Sequence, residues 1–223
     1  MYYKNIYYEK INNGDKNIIF LHGWQGSYKS FFHLKDMIDK NINLYFLDLP
    51  GFGKSVLDIA YNLNDYSNII FEFINDLNIK DPLIVGHSFG GRIALKMLEN
   101  KGFKTILIST PSIYKKSLKT KIKLLINRIF KISFASKDYK EANPVLKQVM
   151  NNVLRDTKYI KIKELKNTPL LIHGIYDKDV KISISKILSK KIKAPIIKVA
   201  SGHFPQNEYP YLIAKVIESY ANS

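Results

Sequence analysis

The sequence predicts an α/β fold, a mostly parallel sheet flanked by helices, and three observations carry that prediction. Short, nearly uninterrupted apolar runs recur along the chain, the pattern of strands buried on both faces. Stretches with helical spacing lie between most of them. The chain has 223 residues, 46% of them hydrophobic, enough to bury a core as one domain with an insertion.

Residues 2–12 read as an edge strand closed by the turn Asn13-Gly14-Asp15. Buried strands are expected at 17–21, 44–47, 82–85, 105–109, 169–172 and 195–199. A helix over 30–40 places Phe31, Leu34 and Ile38 on one face. The next, over 65–77, follows a cap at Asn64 or Asp65 and repeats Ile70, Phe73, Ile74 and Leu77. Further helices are expected over 89–100, 182–191 and 209–220. Residues 112–166 break the alternation. They hold no strand pattern, and Leu118, Ile122, Leu125, Ile129 and Ile132 line one helical face. The expected organisation is a core of 1–111 and 167–223 with a basic helical insertion at 112–166.

Composition narrows the function classes. No uncharged apolar run approaches the ~18–20 residues of a membrane span. Residues 1–5, Met-Tyr-Tyr-Lys-Asn, have no apolar core of a secretory signal. There is no cysteine, which excludes disulfides, thiol catalysis and Cys-ligated metals and fits a cytoplasmic location.

The strongest local signal is Val85-Gly86-His87-Ser88-Phe89-Gly90-Gly91-Arg92. It holds G-x-S-x-G directly after an expected strand and before an expected helix. That context puts the serine on a sharp turn with its hydroxyl above the sheet, and glycines on either side leave room for the crossing backbone. The N–H of Phe89, at the helix start, can then face a developing oxyanion.

With these residues in view, the chain resembles the α/β-hydrolase-fold serine hydrolases, specifically small, short-capped, esterase-like members. Five motifs stand in that family's order: Phe20-Leu21-His22-Gly23-Trp24, Leu47-Asp48-Leu49-Pro50-Gly51-Phe52-Gly53-Lys54-Ser55, the turn at Ser88, His173-Gly174-Ile175-Tyr176-Asp177, and Ser201-Gly202-His203-Phe204-Pro205. The resemblance implies a Ser-Asp-His triad, with the insertion as a helical cap over the active site.

Ser88 needs a base, and of five histidines His203 lies in a glycine-flanked loop after the last strand, where the base belongs. His87 points away from its neighbour Ser88, His33 reads as packing or substrate-facing, and His173 as a buried, satisfied histidine. Two carboxylates follow the strand at 169–172; spacing from Gly174 favours Asp177 over Asp179 as the acid. The proline the family usually carries after that acid is absent from Asp179-Val180-Lys181. The resemblance makes Trp24 and Phe89 the backbone donors of the oxyanion hole, with the Trp24 ring either a pocket wall or core. It makes Asp48 a structural brace, and His22 loop scaffolding or a pocket residue. Arg92 has two readings. In lyases of menaquinone biosynthesis, which share G-G-R after the serine, the arginine holds an anionic substrate; in many hydrolases it braces the helix.

The formal net charge is +16, from 35 Lys and Arg against 19 Asp and Glu. Segment 112–166 carries 15 basic and 4 acidic residues, so +11 of the total sits in the expected cap. That concentration suits attraction of anionic substrates, docking on anionic lipid, or a solvated outer face. No nucleic-acid motif accompanies it.

The expected activity is hydrolysis of a small or medium carboxylic ester or thioester through an acyl-enzyme, with no metal or organic cofactor. A lyase or C–C hydrolase on the same fold is the alternative, and a non-catalytic binding module the third reading. The expected partner is a small-molecule ester, and nothing in the sequence sets an oligomeric state.

Overall fold

The side chains of β3 (Lys16–Leu21) show how the sheet is covered. Ile18 and Phe20 point to one face, Ile19 and Leu21 to the other, and all four are buried. In the computed structural model, which describes residues 1–112 and 144–223, this strand sits inside an eight-stranded sheet of order β1-β2-β4-β3-β5-β6-β7-β8. The other strands are β1 (Tyr2–Tyr3), β2 (Ile6–Ile11), β4 (Ile42–Leu47), β5 (Leu83–His87), β6 (Thr105–Ile108), β7 (Leu170–Gly174) and β8 (Ile196–Val199). From β4 to β8 every pairing is parallel, while β1 and β2 add on antiparallel at one edge.

Two apolar layers follow. On one face α1 (Lys29–Phe32) and α7 (Pro210–Asn222) bring Phe31, Ile213 and Ile217 against Phe20, Phe46, Val85 and Ile172. On the other, α2 (Leu63–Asp76), α3 (Ser88–Lys101), α4 (Pro144–Asp156) and α5 (Ser183–Ile192) bring Phe73, Ile93, Val153 and Leu188 against Leu21, Tyr45, Leu107 and Leu171. Phe20 and Phe46, cross-strand neighbours in β3 and β4, stack with centroids 4.7 Å apart. The described helices include none long and apolar enough to cross a membrane.

Three expectations change in detail. The edge strand at 2–12 is a hairpin: Tyr3 pairs with Ile6 across Lys4, whose φ of 49° turns the chain. The helix over 30–40 is only α1 followed by a 3₁₀ turn at Lys35–Met37. The amides of Leu34 and Met37 bond three residues back, to Phe31 and Leu34, and that tighter spacing ends the α-helix. Helix α2 starts earlier than expected because its cap is Asn62. The Asn62 side chain accepts from the amides of Asn64 and Asp65, and the Asp65 carboxylate accepts from the amide of Asn62.

Within the 112–166 stretch, residues 113–143 lie outside the described residues, including the apolar face from Leu118 to Ile132. The remainder is helical, α4 and then 3₁₀ turns at Thr157–Tyr159 and Ile162–Glu164. It is tied to the core by the Leu63 amide on Asp156 and by the Asn152 amide on the carbonyls of Ala60 and Tyr61.

Candidate active site

The turn at Ser88 is shaped by backbone that comes too close for side chains. Ser88 is the first residue of α3 and has a φ of 48°, a left-handed conformation that costs a serine on the order of 1 kcal/mol and persists only where the surroundings impose it. A Cβ on Gly90 would lie 2.3 Å from the Leu21 carbonyl oxygen. On Gly86 it would lie 2.7 Å from that of Gly90. The Gly90 amide bonds the His22 carbonyl at 3.0 Å, which fastens the start of α3 to the turn after β3.

That turn carries Gly23 and Trp24. A Cβ built on Gly23 would stand 3.5 Å from the Cβ of Ser88, so the turn runs directly beside the serine. His22 braces it. Its Nε2 accepts from the Leu49 amide at 3.0 Å, which leaves Nδ1–H to donate to the Gly23 carbonyl at 2.7 Å. Burial pushes its pKa down to about 4, so the ring stays neutral. Both nitrogens are engaged by backbone, and neither is left for a substrate. Asp48 is a second brace, fully buried and accepting from the amides of Tyr28 and Lys54 at 2.5 and 2.7 Å. The Trp24 ring packs edge-on against Phe52 and Phe89, and Phe89 against Tyr66, forming an aromatic wall behind the serine.

Across the sheet, His203 Nδ1 lies 2.8 Å from Asp177 Oδ2. The Asp177 carboxylate is fully buried, and its other oxygen accepts from the amides of Asp179 and Val180 at 2.9 and 2.8 Å. Asp179 therefore helps hold the Asp177 carboxylate through its backbone, while its own side chain is exposed. Asp177, Asp179 and His203 could in principle share a metal, their ligand atoms lying within 4.8 Å of one another. The carboxylate of Asp177 is already occupied by the imidazole and two amides, which fits an acid–base pair.

Two further histidines hold this pair, and the sequence reading gave neither that role. His173 is buried, its Nε2–H donating to the Val180 carbonyl and its Nδ1 accepting from Ser185, both at 2.7 Å. It thereby pins the loop that carries Asp177, whose Oδ2 is 3.4 Å from His173 Nε2. His87, next to Ser88, donates from Nε2 to the His203 backbone carbonyl at 2.8 Å and packs its ring against the His203 imidazole. Burial, reinforced by the neighbouring His203, lowers its pKa to about 3. His87 thus joins the turn that carries Ser88 to the loop that carries His203, 116 residues away in sequence. His33, an exposed residue, donates from Nε2 to the Gln206 carbonyl at 2.9 Å.

Arg92 lies in the second turn of α3. Its Nη1 donates to Thr157 Oγ1 at 2.9 Å, and Thr157 in turn donates to the Val153 carbonyl. Burial alone lowers its pKa to about 10, with no carboxylate contributing. Arg92 therefore bridges α3 to the segment after α4.

The chain matches the alpha/beta hydrolase family over residues 18–216. It is 25% identical to a pimeloyl-[acyl-carrier protein] methyl ester esterase from Wigglesworthia glossinidia brevipalpis, across 97% of this chain and 98% of that protein. A shorter likeness, 31% over 78 residues, joins it to a 2-succinyl-6-hydroxy-2,4-cyclohexadiene-1-carboxylate synthase from Escherichia coli O7:K1, across 35% of this chain and 31% of that protein. Among solved structures, an esterase from Exiguobacterium antarcticum superposes with a TM-score of 0.72 at 21% identity, covering 98% of this chain and 96% of that one.

Proposed function

Since the chain belongs to the alpha/beta hydrolase family, we propose that it is a serine hydrolase cleaving a small or medium carboxylic ester or thioester, with Ser88, Asp177 and His203 as its triad. The observation that carries this reading is the 2.8 Å pair of Asp177 and His203, clamped through His87 to the turn bearing a left-handed Ser88. The full-length likeness to a methyl ester esterase supports the substrate class.

The chemistry is a two-step acyl transfer. His203 Nε2 takes the proton from Ser88 Oγ as the oxygen attacks the carbonyl carbon. The negative charge on the carbonyl oxygen is met by the amides of Phe89 and Trp24. Collapse breaks the bond to the alcohol, which leaves with the proton from His203. Water, deprotonated by His203, then releases the acid and restores Ser88. Asp177, acceptor-only while ionised, keeps Nδ1 protonated and so keeps Nε2 free to act as the base. Every proton passes through His203, so the sequence of steps requires neither metal nor organic cofactor. Residues 112–166 act in this reading as the cap, whose charge favours anionic substrates.

A fluorophosphonate probe should label the wild type and fail to label Ser88→Ala, with hydrolysis of p-nitrophenyl acetate lost in parallel. Equal labelling of both proteins rules the nucleophile out. A second reading, a lyase or C–C hydrolase using the same triad, is favoured by Arg92, a buried guanidinium whose described partner is a hydroxyl rather than a carboxylate. That reading predicts no turnover of any ester in a broad panel, with Ser88-dependent turnover of a carboxylated C–C substrate.

A further inference from the structure

Half of the exposed large apolar side chains stand in one place. Of twelve among the described residues, six are Ile175, Tyr176, Phe204, Tyr209, Tyr211 and Leu212. Short-range contacts gather them around the stretch that follows β8. The amides of Ile175 and Tyr176 bond the carbonyls of Val199 and Ser201 at 2.8 and 3.0 Å. The Tyr209 hydroxyl donates to the Ala200 carbonyl at 3.3 Å. Phe204 follows His203 in the same loop and precedes the short helix α6 (Pro205–Glu208). Tyr211 and Leu212 lie in the first turn of α7. From Leu212 an open groove of about 500 Å³ continues along α7, lined mainly by apolar side chains, among them Leu170, Ile197, Val216 and Tyr220. Single exposed apolar residues are ordinary on a protein surface; a cluster of six with a groove beside it marks a surface that binds something.

The charge beside this patch has one sign. β8 is the last strand of the sheet and has no neighbour on its outer side. From Lys178 to Lys198, through α5 and into β8, the chain carries seven lysines, all of them exposed. None of the seven forms an ion pair among the described residues. No carboxylate occurs between Asp179 and Glu208. A two-fold pairing with a second copy would set these lysines against themselves, so the surface suits a partner that is itself anionic. Four of the six apolar side chains are aromatic, and three of those are tyrosines. Such rings lie at the headgroup level of a bilayer, where lysines meet lipid phosphates.

We propose that the edge of the molecule formed by β8, α5 and the start of α7 docks on an anionic lipid surface. The six apolar side chains enter the headgroup boundary, and the lysines between 178 and 198 pair with lipid phosphates. The loops that carry Asp177 and His203 form one rim of this edge, so docking turns that rim toward the lipid. The proposal concerns binding and does not rest on the serine-hydrolase reading. It also differs from attraction through 112–166, whose +11 would draw the protein to any anionic surface.

The test is co-sedimentation of the full chain with vesicles of phosphatidylcholine alone and of phosphatidylcholine mixed equally with phosphatidylglycerol. Wild type should partition onto the mixed vesicles at least about tenfold more strongly than onto the neutral ones. Lys181→Glu with Lys198→Glu should lower the partition coefficient on mixed vesicles at least about tenfold, since each lysine at a lipid surface contributes about fivefold. Lys10→Glu with Lys101→Glu makes the same change of net charge at exposed positions on β2 and at the end of α3, and should lower it less than about threefold. Tyr211→Ser with Leu212→Ser leaves the charge alone and should lower it at least about threefold. Equal losses in the two charge variants place the binding on overall charge and overturn the proposal. So does undiminished binding of the Tyr211→Ser, Leu212→Ser protein, which would leave a purely electrostatic contact that an acidic protein satisfies equally well. Wild type that ignores phosphatidylglycerol overturns it outright. Fluorophosphonate labelling of Ser88 reports on the hydrolase reading alone, so failure of one is distinguishable from failure of the other.

Discussion

The two halves of the candidate site are held by different means. On the Ser88 side, the geometry is imposed by backbone approaching backbone: Gly90 against Leu21, Gly86 against Gly90, and the Gly90 amide on His22. On the side of Asp177 and His203, backbone also meets backbone where a Cβ on Gly174 would lie 2.0 Å from the Gly202 carbonyl oxygen, but the two side chains are placed by side-chain bonds: the Asp177 carboxylate on two amides and an imidazole, His173 on Val180 and Ser185, and Glu208 on the Gly202 amide at 2.8 Å. Backbone crowding tolerates almost no change of volume. A hydrogen-bond network tolerates change of volume but not loss of charge or of a donor. The left-handed serine therefore sits where a change of volume is least tolerated, and Asp177 and His203 sit where loss of a charge or a donor is.

This contrast can be broken first on the side of Asp177 and His203. Asp177→Asn keeps the volume and removes the charge, so the imidazole loses the acceptor that fixes its tautomer. The expected fall in kcat is about 10³–10⁴-fold with a native circular dichroism spectrum; a loss below tenfold would remove Asp177 from the proposed triad. The reciprocal test uses glycines. Gly90→Ala places a methyl group 2.3 Å from the Leu21 carbonyl oxygen and should cost about 3 kcal/mol or more in a urea titration. Gly202→Ala meets only the Glu208 carboxylate end, at 3.2 Å, and should cost less than about 1 kcal/mol. Similar costs at the two positions would contradict the division into a rigid half and an adjustable one.

The pH dependence of stability sharpens it further. His22 and His87 are held neutral by burial, with folded-state pKa values near 4 and 3 against about 6.5 in the unfolded chain. Between those values the unfolded chain binds more protons. Stability is therefore fully present above pH 6.5 and declines as the pH falls toward 4, by up to about 1.4 kcal/mol per pH unit for each histidine. Melting temperatures across that range should fall, and His22→Asn should flatten the slope by one histidine's share. The smallest effect is expected for Glu208→Gln, which retains an acceptor for the Gly202 amide but not its charge. A loss of about 0.5–1 kcal/mol should appear in melting curves without a shift in the pH profile of kcat.

Much of the fold was legible because strand and helix periods are local. The parallel strands and most of the helices between them stand close to their expected positions, and the described residues between β6 and β7 hold no strand. Less legible were places where a short-range contact outside the apolar pattern decides: the hairpin at Lys4, the early α2 cap at Asn62, and the α1 helix cut short by a 3₁₀ turn. At the site, the turn at Ser88 was readable because glycine is the residue that crowded backbone requires, and that requirement is written in five adjacent letters. Asp177 was readable only as the better of two carboxylates. It is the fold that brings its Oδ2 to His203 and directs the amide of Asp179 back to it. His87 and His173 gave no signal of their clamping roles, since a bond to a backbone carbonyl imposes no sequence pattern on the residue accepting it.

By itself the sequence determined the alternation of strand and helix, the glycine turn at Ser88, and the concentration of +11 within 112–166. Each depends on residues close together in the chain. Tertiary structure alone decided that His87 reaches His203, that both nitrogens of His22 go to backbone, and that Arg92 meets Thr157. Those pairings join residues tens to more than a hundred positions apart, or fix the direction of a side chain that could have turned elsewhere. No local preference specifies them; the packing of helices on both faces of the sheet does.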